Sequence, residues 1–531
     1  MTVTTSYPGI YIQELPSLVH TITPAPTSIA VFVGYINPFY ALKPPVDYNT
    51  AIQLFSFADY QANFGGFFSC PWQPDYVGHA VNQFFLNGGP TCYVVALKPQ
   101  QYYNSKGDKQ GDIGAASCTL KAEGGDITLT ALQPVGVGTA GISMAVALSN
   151  PQSSAAGGPK DTADIVISYG TTVETYRKVQ IATLAARLQN SSLVTVTLKG
   201  TPTAYPSDGS TPFDYSSLAD GQIAPQVGFT VINPVDFEPV FHDYQSLDKV
   251  PIFNLLATPG ISDSLVTAEA VAYCERKRAF YIADTPSSEF PNWDVNSIVI
   301  NLDQSTQLSP PPPLSTNAAV YYPWLKTTDP VTGKAMLAPP SGYVAGIYGK
   351  TDSAQGVWQS PAGFQTTLLG TTGVDTKGMM TDPQQGILNN NSINALRQFA
   401  SAGTVVFGAR TTVAANPSFQ QWKYVAVRRM ALFIEQTLYA NLTWAVFQGN
   451  SEPLWNALTQ EVTAFMLSLF RQGAFAGDKP SNSFLVQCDS TTTTVQDTEN
   501  GVVNIVVGFA PLLPAEFVVV KIAQLAGQTQ T

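Results

Sequence analysis

Short apolar runs alternate with segments of helical spacing along most of the sequence, and this alternation most strongly limits the folds open to the chain. Residues 29–34 form an apolar run suited to a buried strand. Residues 77–86 have helical spacing, Asn87-Gly88-Gly89-Pro90 ends that helix, and residues 92–97 are the next predicted strand. Strands that alternate with helices favour a sheet covered on both faces. The sequence therefore predicts an α/β fold.

The same alternation resumes near residue 226 and becomes more helical toward the C-terminus. Strands are predicted at residues 252–256, 279–282, 319–322, 404–407, 483–488, 502–509 and 517–522. Helices are predicted at residues 264–278, 391–399, 424–439 and 452–471. The last helix has apolar residues at i, i+3, i+4 spacing, namely Leu454, Leu458, Val462, Phe465, Met466 and Leu469, and Gly473 and Gly477 end it.

Residues 101–225 interrupt this pattern. Gly, Ala, Ser and Thr dominate there, and β-like pieces recur between turn residues at 127–130, 165–167 and 193–196, with one helix predicted at 175–188. We interpret this stretch as an inserted β-rich domain. The predicted organisation is an N-terminal arm at 1–26, a core at 27–100 and 226–510, the insertion at 101–225, and a C-terminal arm and tail at 511–531.

The first 26 residues are typical of an extended arm. Tyr7-Pro8-Gly9 has turn chemistry, and Pro16, Pro24 and Pro26 exclude a helix and limit any strand to short or edge pieces. An arm with β character and no hairpin partner needs a partner from elsewhere.

Charged residues make up only 12% of the chain, against a usual share of roughly 25%, while apolar residues make up 44%. Uncharged polar groups could cover the surface, or an assembly could hide it, and composition leaves both interpretations open. The net charge of -11 argues against a general nucleic-acid binder, which would show a basic face. We expect no signal peptide and no membrane span, and we expect the five scattered cysteines to be reduced and mostly buried.

Motifs that would indicate catalysis are weak. Gly136, Gly138 and Gly141 match G-x-G-x-x-G, with Asp161 and Asp164 at a tolerable distance, but glycine and proline interrupt the unit that a dinucleotide site requires. No G-x-S-x-G, H-E-x-x-H or Walker A sequence occurs. We therefore expect no catalytic residue, no cofactor and no metal.

The remaining polar residues fit ordinary structural roles. His20, His79 and His242 are interpreted as structural or surface histidines, and Asp161/Asp164 and Asp243/Asp248 as solvated pairs. Lys423, Arg428 and Arg429 form the densest basic cluster near a helix. They are either a solvated, ion-paired face or a contact between subunits, and both interpretations stay open.

Several segments, in this order, resemble one known family. They are Tyr7-Pro8-Gly9-Ile10-Tyr11-Ile12, Asn87-Gly88-Gly89, Tyr321-Tyr322-Pro323-Trp324, Pro339-Pro340-Ser341-Gly342, Trp444-Ala445-Val446-Phe447, Glu452-Pro453-Leu454-Trp455, Gly508-Phe509-Ala510-Pro511 and Pro514-Ala515-Glu516-Phe517. The chain resembles the contractile tail-sheath family of myophages, R-type bacteriocins and extracellular contractile injection systems. It departs from the family at Asn450-Ser451, where a more acidic turn is expected, and in its polar ending beyond Lys521.

The resemblance implies a structural subunit that stacks in hexameric rings around an inner tube and contracts without nucleotide hydrolysis. It implies α/β core architecture, with the insertion lying outward and both terminal arms adding strands to neighbours. The implied linking residues are Tyr7, Gly9, Ile10, Tyr11, Ile12, Glu14, Phe517, Val518, Val519, Val520 and Ile522, and the implied receiving sheet contains Val503, Ile505, Val507 and Phe509. Arg428, Arg429 and Arg471 are the candidate contacts with the inner tube or another subunit.

The implied partners are further copies of the chain, the inner tube protein, the baseplate, terminator or cap proteins and sister sheath proteins, with assembly in the bacterial cytoplasm and no nucleic acid or membrane insertion. Two alternatives remain at this point. One is a different self-assembling shell or surface-layer protein, which the low charge and β-rich insertion would suit. The other is an α/β cofactor-binding enzyme, which rests on the glycine motif alone.

Overall fold

A computed structural model describes residues 21–38, 40, 42–70, 72–104, 108–113, 116–132, 143–170, 172–213, 222–223 and 230–521. Within these ranges the strands are β1 (Ile29–Tyr35), β2 (Ala51–Leu54), β3 (Thr91–Leu97), β4 (Gln101–Tyr103), β5 (Lys109–Ile113), β6 (Ser117–Ala131), β7 (Met144–Gln152), β8 (Thr162–Tyr169), β9 (Thr172–Gln180), β10 (Val194–Ala204), β11 (Gly209–Pro212), β12 (Gln222–Ile223), β13 (Leu255–Ala257), β14 (Phe280–Asp284), β15 (Ala318–Tyr322), β16 (Leu325–Thr328), β17 (Ala335–Ala338), β18 (Gly373–Val374), β19 (Ile393–Phe399), β20 (Gly403–Val406), β21 (Phe484–Gln487) and β22 (Val506–Phe509).

The α-helices in the same ranges are α1 (Phe57–Phe64), α2 (Tyr76–Leu86), α3 (Leu184–Leu188), α4 (Glu238–Phe241), α5 (Ser264–Lys277), α6 (Val295–Asp303), α7 (Ser341–Gln355), α8 (Asp382–Asn390), α9 (Val425–Asn441), α10 (Glu452–Arg471), α11 (Pro480–Ser483) and α12 (Val495–Glu499). The chain divides into two compact units. The core unit is Thr27–Arg428, and the terminal unit combines Met1–Pro26 with Arg429–Thr531. The division falls within α9.

An eight-stranded sheet forms the centre of the core unit, in the order β2-β3-β1-β13-β14-β15-β19-β20. The six inner strands run parallel, while β2 and β20 close the two edges in antiparallel pairing. This arrangement confirms the α/β prediction. It also agrees with the sequence pattern, since parallel strands are buried on both faces and are nearly continuous apolar runs.

Helices cover both faces of this sheet. On one face, Val31 and Val33 share a buried cluster with Val266, Ala270 and other residues of α5. On the other face, the rings of Phe32 and Phe84 meet edge to face at 5.6 Å, which places α2 there.

The packing of α7 against α2 needs a residue without a side chain. A Cβ atom on Gly342 would lie 2.4 Å from the Cα atom of Ala80, so only glycine allows this close approach. At the start of α7, the buried carboxylate of Asp284 accepts hydrogen bonds from the backbone N–H of Ser341 at 2.8 Å and of Gly260 at 2.9 Å. Burial raises the pKa of Asp284 to about 6, and these hydrogen bonds oppose that rise.

Strands β4 to β12 lie outside the main sheet. They form a two-stranded pair β10-β6, a four-stranded sheet β11-β7-β8-β9 and a three-stranded sheet β12-β5-β4. Ile127, Leu129, Val146, Ile165 and Ile167 belong to one buried cluster that unites the first two sheets. Alternation of buried and exposed residues along β8 is what a sheet with one covered face requires.

Two helix predictions are wrong. Residues 391–399 form strand β19, in which four consecutive residues from Ile393 are buried between β15 and β20. The i, i+3 spacing of Ile393 and Leu396 is typical of a helix. A strand buried on both faces is buried at successive positions, so it lacks the alternation of apolar and polar residues that would identify a strand. Residues 175–180 belong to strand β9, paired with β8, and the chain turns helical only after them, first as a 3-10 helix at Ile181–Thr183 and then as α3.

Other predictions agree closely with the fold. Helix α10 has the predicted bounds, and its six predicted apolar positions are all buried. All five cysteines are unpaired, and all but Cys70 are buried. No helix in the described ranges is both long enough and apolar enough to cross a bilayer.

Candidate assembly surface

A small two-stranded sheet, β21–β22, belongs to the terminal unit. Its antiparallel register pairs Phe484 with Phe509 and Gln487 with Val506. The ring of Phe475 lies 6.1 Å from that of Phe484 and 5.8 Å from that of Phe509, so an aromatic cluster covers one end of the sheet. In the described residues each strand has one neighbour, which leaves the outer edge of both strands available for pairing.

Helix α10 supports this sheet. It contacts β21, and Leu458, Val462 and Met466 are nearly or fully buried along its inner face. The Thr459 hydroxyl donates to the carbonyl oxygen of Cys488 at 3.5 Å, just beyond the end of β21. After β21, the carboxylate of Asp489 accepts hydrogen bonds from the hydroxyl and backbone N–H of Thr491, which hold the pKa of that carboxyl below its usual range.

The chain leaves the sheet as an exposed apolar arm. Phe475 forms an isolated bridge with Pro511, and no helix or strand is assigned to the following residues 512–521. Phe517, Val518, Val519 and Val520 are 74%, 84%, 79% and 75% exposed. Four successive large apolar side chains in water are unfavourable, since burying each would contribute about 1.5–3 kcal/mol.

The N-terminal arm joins the terminal unit at α9. The side-chain amide of Asn441 accepts from the backbone N–H of Thr23 at 2.9 Å and donates to the carbonyl oxygen of Thr23, also at 2.9 Å. The Thr437 hydroxyl accepts from the N–H of Ala25 at 3.1 Å. Asn441 therefore pairs with the arm much as a neighbouring strand would.

The sequence pattern does not predict this role of Asn441. Its only signal is an uncharged amide at the end of a predicted helix, and many such amides simply face solvent. The pattern separates the arm from the core, but it offers no partner for residues 21–26.

The three candidate arginines lie in different surroundings. Arg428 donates from Nε to Asn317 Oδ1 at 2.9 Å, and its guanidinium lies 4.9 Å from the centre of the Trp422 ring. Arg429 is only 3% exposed in the single chain, which leaves little of its side chain accessible for the predicted surface contact. Arg471 is exposed in the last turn of α10, where a cation interacts favourably with the helix dipole.

The predicted linking residues are only partly within the described ranges. Tyr7, Gly9, Ile10, Tyr11, Ile12, Glu14 and Ile522 lie outside them, whereas Phe517, Val518, Val519 and Val520 lie on the exposed arm. In the predicted receiving sheet, Val507 and Phe509 belong to β22, while Val503 and Ile505 precede it. A strand is predicted at 517–522, but residues 517–521 form no strand in the single chain.

The histidines and acid pairs noted in the sequence have ordinary structural neighbours where the structure describes them. His79 is buried beside Phe67, and burial lowers its pKa to about 4, while His242 lies 3.6 Å from Glu238. Asp248 pairs with Lys277 at 2.7 Å, and Asp243 pairs with Arg276. No group of three His, Cys, Asp or Glu residues in the described ranges could hold a metal ion. His20 and the glycine motif at 136–141 lie outside those ranges.

Comparison with protein families matches two adjoining regions. Residues 249–412 match the phage tail sheath protein central domain, and residues 418–524 match the phage tail sheath C-terminal domain. Together these matches cover just over half of the sequence. The chain belongs to the phage tail sheath family. This membership confirms the resemblance inferred from the ordered motifs.

A curated relative in Pseudomonas aeruginosa strain UCBPP-PA14 is named as a putative prophage major tail sheath protein. It is 28% identical over 280 residues, which are 51% of this chain and 65% of the relative. The match thus spans slightly less than two thirds of that relative's length.

Solved sheath structures share the fold. The helical sheath of the anti-feeding prophage in its contracted state has a TM-score of 0.57 at 22% identity, covering 98% of this chain and 100% of the other. The sheath complex of PVC, an extracellular contractile injection system, in its contracted state gives a TM-score of 0.55 at 22% identity, with 98% and 99% covered. At this identity the likeness establishes the fold.

Proposed function

We propose that this chain is the structural subunit of a contractile tail sheath. Copies polymerise as stacked hexameric rings around an inner tube, and contraction drives the tube through a target envelope without nucleotide hydrolysis. The observation that carries the proposal is the exposed apolar arm Phe517–Val520, which follows a two-stranded sheet with open edges in a chain of the sheath family.

Strand addition is the physical device that joins these features. An extended segment pairs its backbone N–H and C=O groups with a free sheet edge and places alternate side chains on the receiving face. The sheet β21–β22 has two strands and already packs against α10, and a third and fourth strand would add backbone hydrogen bonds along its outer edges. We assign the C-terminal arm to one neighbour and residues 7–16 of the N-terminal arm to another.

A heterologous contact of this kind propagates without closing, as a helical tube requires. Proline at positions 511 and 514 and glycine at 508 border the C-terminal arm and suit a joint about which whole subunits rotate. We place the β-rich insertion on the outside of the tube. Contraction then releases free energy as subunits gain contacts, from an extended state that is trapped kinetically.

The proposed partners follow from this role. They are further copies of the chain, an inner tube protein, baseplate proteins, terminator or cap proteins and any sister sheath proteins, within a phage tail or a phage-tail-like particle. Arg471 is the cation that we assign to a polar contact with the tube or with another subunit, because it is exposed at the end of α10.

Negative-stain imaging tests this function. The full chain, alone or with its inner tube protein, should form helical tubes or ring stacks. A variant that lacks residues 512–531 should keep the same circular dichroism spectrum and unfolding temperature but form none. A full chain that yields only discrete particles, or a truncated chain that still polymerises, would contradict the proposal.

A further inference from the structure

The loop at residues 442–450, between α9 and α10, displays an aromatic side chain entirely to solvent. We call it the Phe447 loop. Phe447 is 102% exposed, its neighbour Val446 is 59% exposed, and Phe447 has a φ of +67°. Aromatic residues rarely adopt positive φ, and such strain often marks a site where the surrounding structure holds a residue for a purpose.

Hydrogen bonds hold this loop in place. The indole N–H of Trp444 donates to Glu461 at 3.1 Å, and that of Trp455 donates to Asn450 Oδ1 at 2.8 Å. The side chain of Asn450 donates in turn to the carbonyl oxygen of Val502 at 3.0 Å. A loop anchored in this way loses little backbone conformational entropy when it binds, which favours docking.

The loop is also free of charge. Residues 440–451 contain no Asp, Glu, Lys or Arg. Burying the loop against another surface would therefore leave no charged side chain of the loop without a partner. Only its uncharged polar groups would lose their contact with water. Exposed on a loop that is hydrogen-bonded at Trp444 and Asn450, Phe447 has the character of an anchor residue at a protein interface.

The core unit contains an apolar cavity that suits such an anchor. Its volume is about 460 Å³, and Leu314, Val413, Ala415 and Phe419 give it apolar lining, beside polar side chains that include Glu275 and Ser315. Leu314 is 81% exposed and Phe419 38% exposed, so the opening presents apolar surface to water. The Glu275 carboxylate accepts from the Ser315 hydroxyl and so has a partner already.

We propose that Phe447 of one copy inserts into the Leu314–Phe419 cavity of the next copy. An apolar projection and an apolar cavity on different parts of one chain make a heterologous contact, and such contacts generate open helical arrays. This contact is additional to the terminal arms. This contact rests on the proposed function in one respect, which is that copies of the chain meet side by side in a sheath.

Chemical cross-linking of mixed variants tests the contact. Phe447→Cys and Leu314→Cys are made in separate chains, mixed during assembly and treated with a short bismaleimide. The native cysteines contribute little background, because four of the five are buried. Val495, which is 78% exposed in the same unit as Phe447, supplies the control Val495→Cys.

A covalent dimer should form when Phe447→Cys chains are mixed with Leu314→Cys chains. None should form when Val495→Cys chains are mixed with Leu314→Cys chains, or when any one of these variants is treated alone. Phe447→Ala should raise the concentration needed for assembly on the order of tenfold to a hundredfold, since it removes one buried aromatic ring per contact. Val495→Ala should leave that concentration unchanged.

Tubes that form without the covalent dimer, or Phe447→Ala chains that assemble like the wild type, would overturn this contact and leave the sheath function standing. A Phe447→Ala defect confined to mixtures with the inner tube protein would also overturn it, because the loop would then bind the tube. If the unmodified chain forms no assembly at all, the proposed function fails and the contact fails with it.

Discussion

The C-terminal arm allows a prediction about its two faces. In a strand, Phe517 and Val519 point to one side and Val518 and Val520 to the other. The double variants Phe517→Ser/Val519→Ser and Val518→Ser/Val520→Ser therefore change opposite faces of an added strand, and only one face can pack on the neighbour's sheet. We expect one double variant to prevent assembly and the other to have a much smaller effect.

The size of the effect follows from burial. All four side chains are at least 74% exposed in the single chain, so either double variant should change the free energy of unfolding by no more than about 0.5 kcal/mol. On assembly, fully burying one large apolar side chain contributes about 1.5–3 kcal/mol, so losing two on the packed face costs about 3–6 kcal/mol per junction. That corresponds to at least about a hundredfold weaker junction.

Analytical ultracentrifugation measures the assembled fraction over a range of concentrations, and urea titration of the unassembled chain measures its stability. Equal defects in both double variants would indicate that the arm does not bind as a strand. A large loss of unfolding free energy in either variant would indicate that the arm packs within its own chain. No defect in either variant would refute a role for these side chains in the junction.

Three further predictions concern single residues. Asn441→Ala removes both hydrogen bonds to Thr23 and should increase protease cleavage before residue 27 while the unfolding temperature of the rest changes little; unchanged cleavage would contradict this anchoring role. Because burial raises the pKa of Asp284 to about 6, the folded chain binds a proton there more tightly than the unfolded chain, so the contribution of this residue to the free energy of unfolding increases as the pH falls from about 7 to about 5. Asp284→Asn should abolish that part of the pH dependence in thermal unfolding, and an identical pH profile would show the inference to be wrong. Met466→Ala should lower the unfolding free energy by about 2–5 kcal/mol, against less than about 0.5 kcal/mol for exposed Ser468→Ala on the same helix, as measured by urea titration; equal losses would contradict the burial of Met466.

Helix α10 shows what the sequence can predict well. Its bounds and its buried face both follow from the pattern, because it is long, amphipathic, and bordered by Pro453 at its start and Gly473 after its end. The buried strands β1 and β3 are similarly clear, since an apolar run of this length between turn residues is typical of a buried strand.

Strand β19 shows where a pattern in the sequence misleads. Its first four residues, from Ile393, are all buried, and tertiary pairing with β15 and β20 determines its conformation more than local propensity does.

Residues 517–521 differ from the prediction for another reason. A strand requires a neighbour to pair with, and a single chain leaves this segment without a strand assignment.

The candidate site can be predicted only in part from the sequence. The apolar run at residues 517–520 and its position near the end of the chain indicate an arm, but the burial of Arg429 and the pairing of Asn441 with Thr23 depend on how distant segments meet. The positions of Arg429 and Asn441 in the sequence pattern do not indicate that one is buried and the other pairs with the arm. The exposure of Phe447 is likewise a property of the folded loop.

Helical reconstruction of the assembled protein by cryo-electron microscopy tests the central claim most directly. The proposed function predicts that residues 517–520 of each copy extend the β21–β22 sheet of an adjacent copy as an added strand. Density that shows this arm folded back onto the sheet of its own copy, or tubes in which it touches no neighbouring sheet, would contradict the claim.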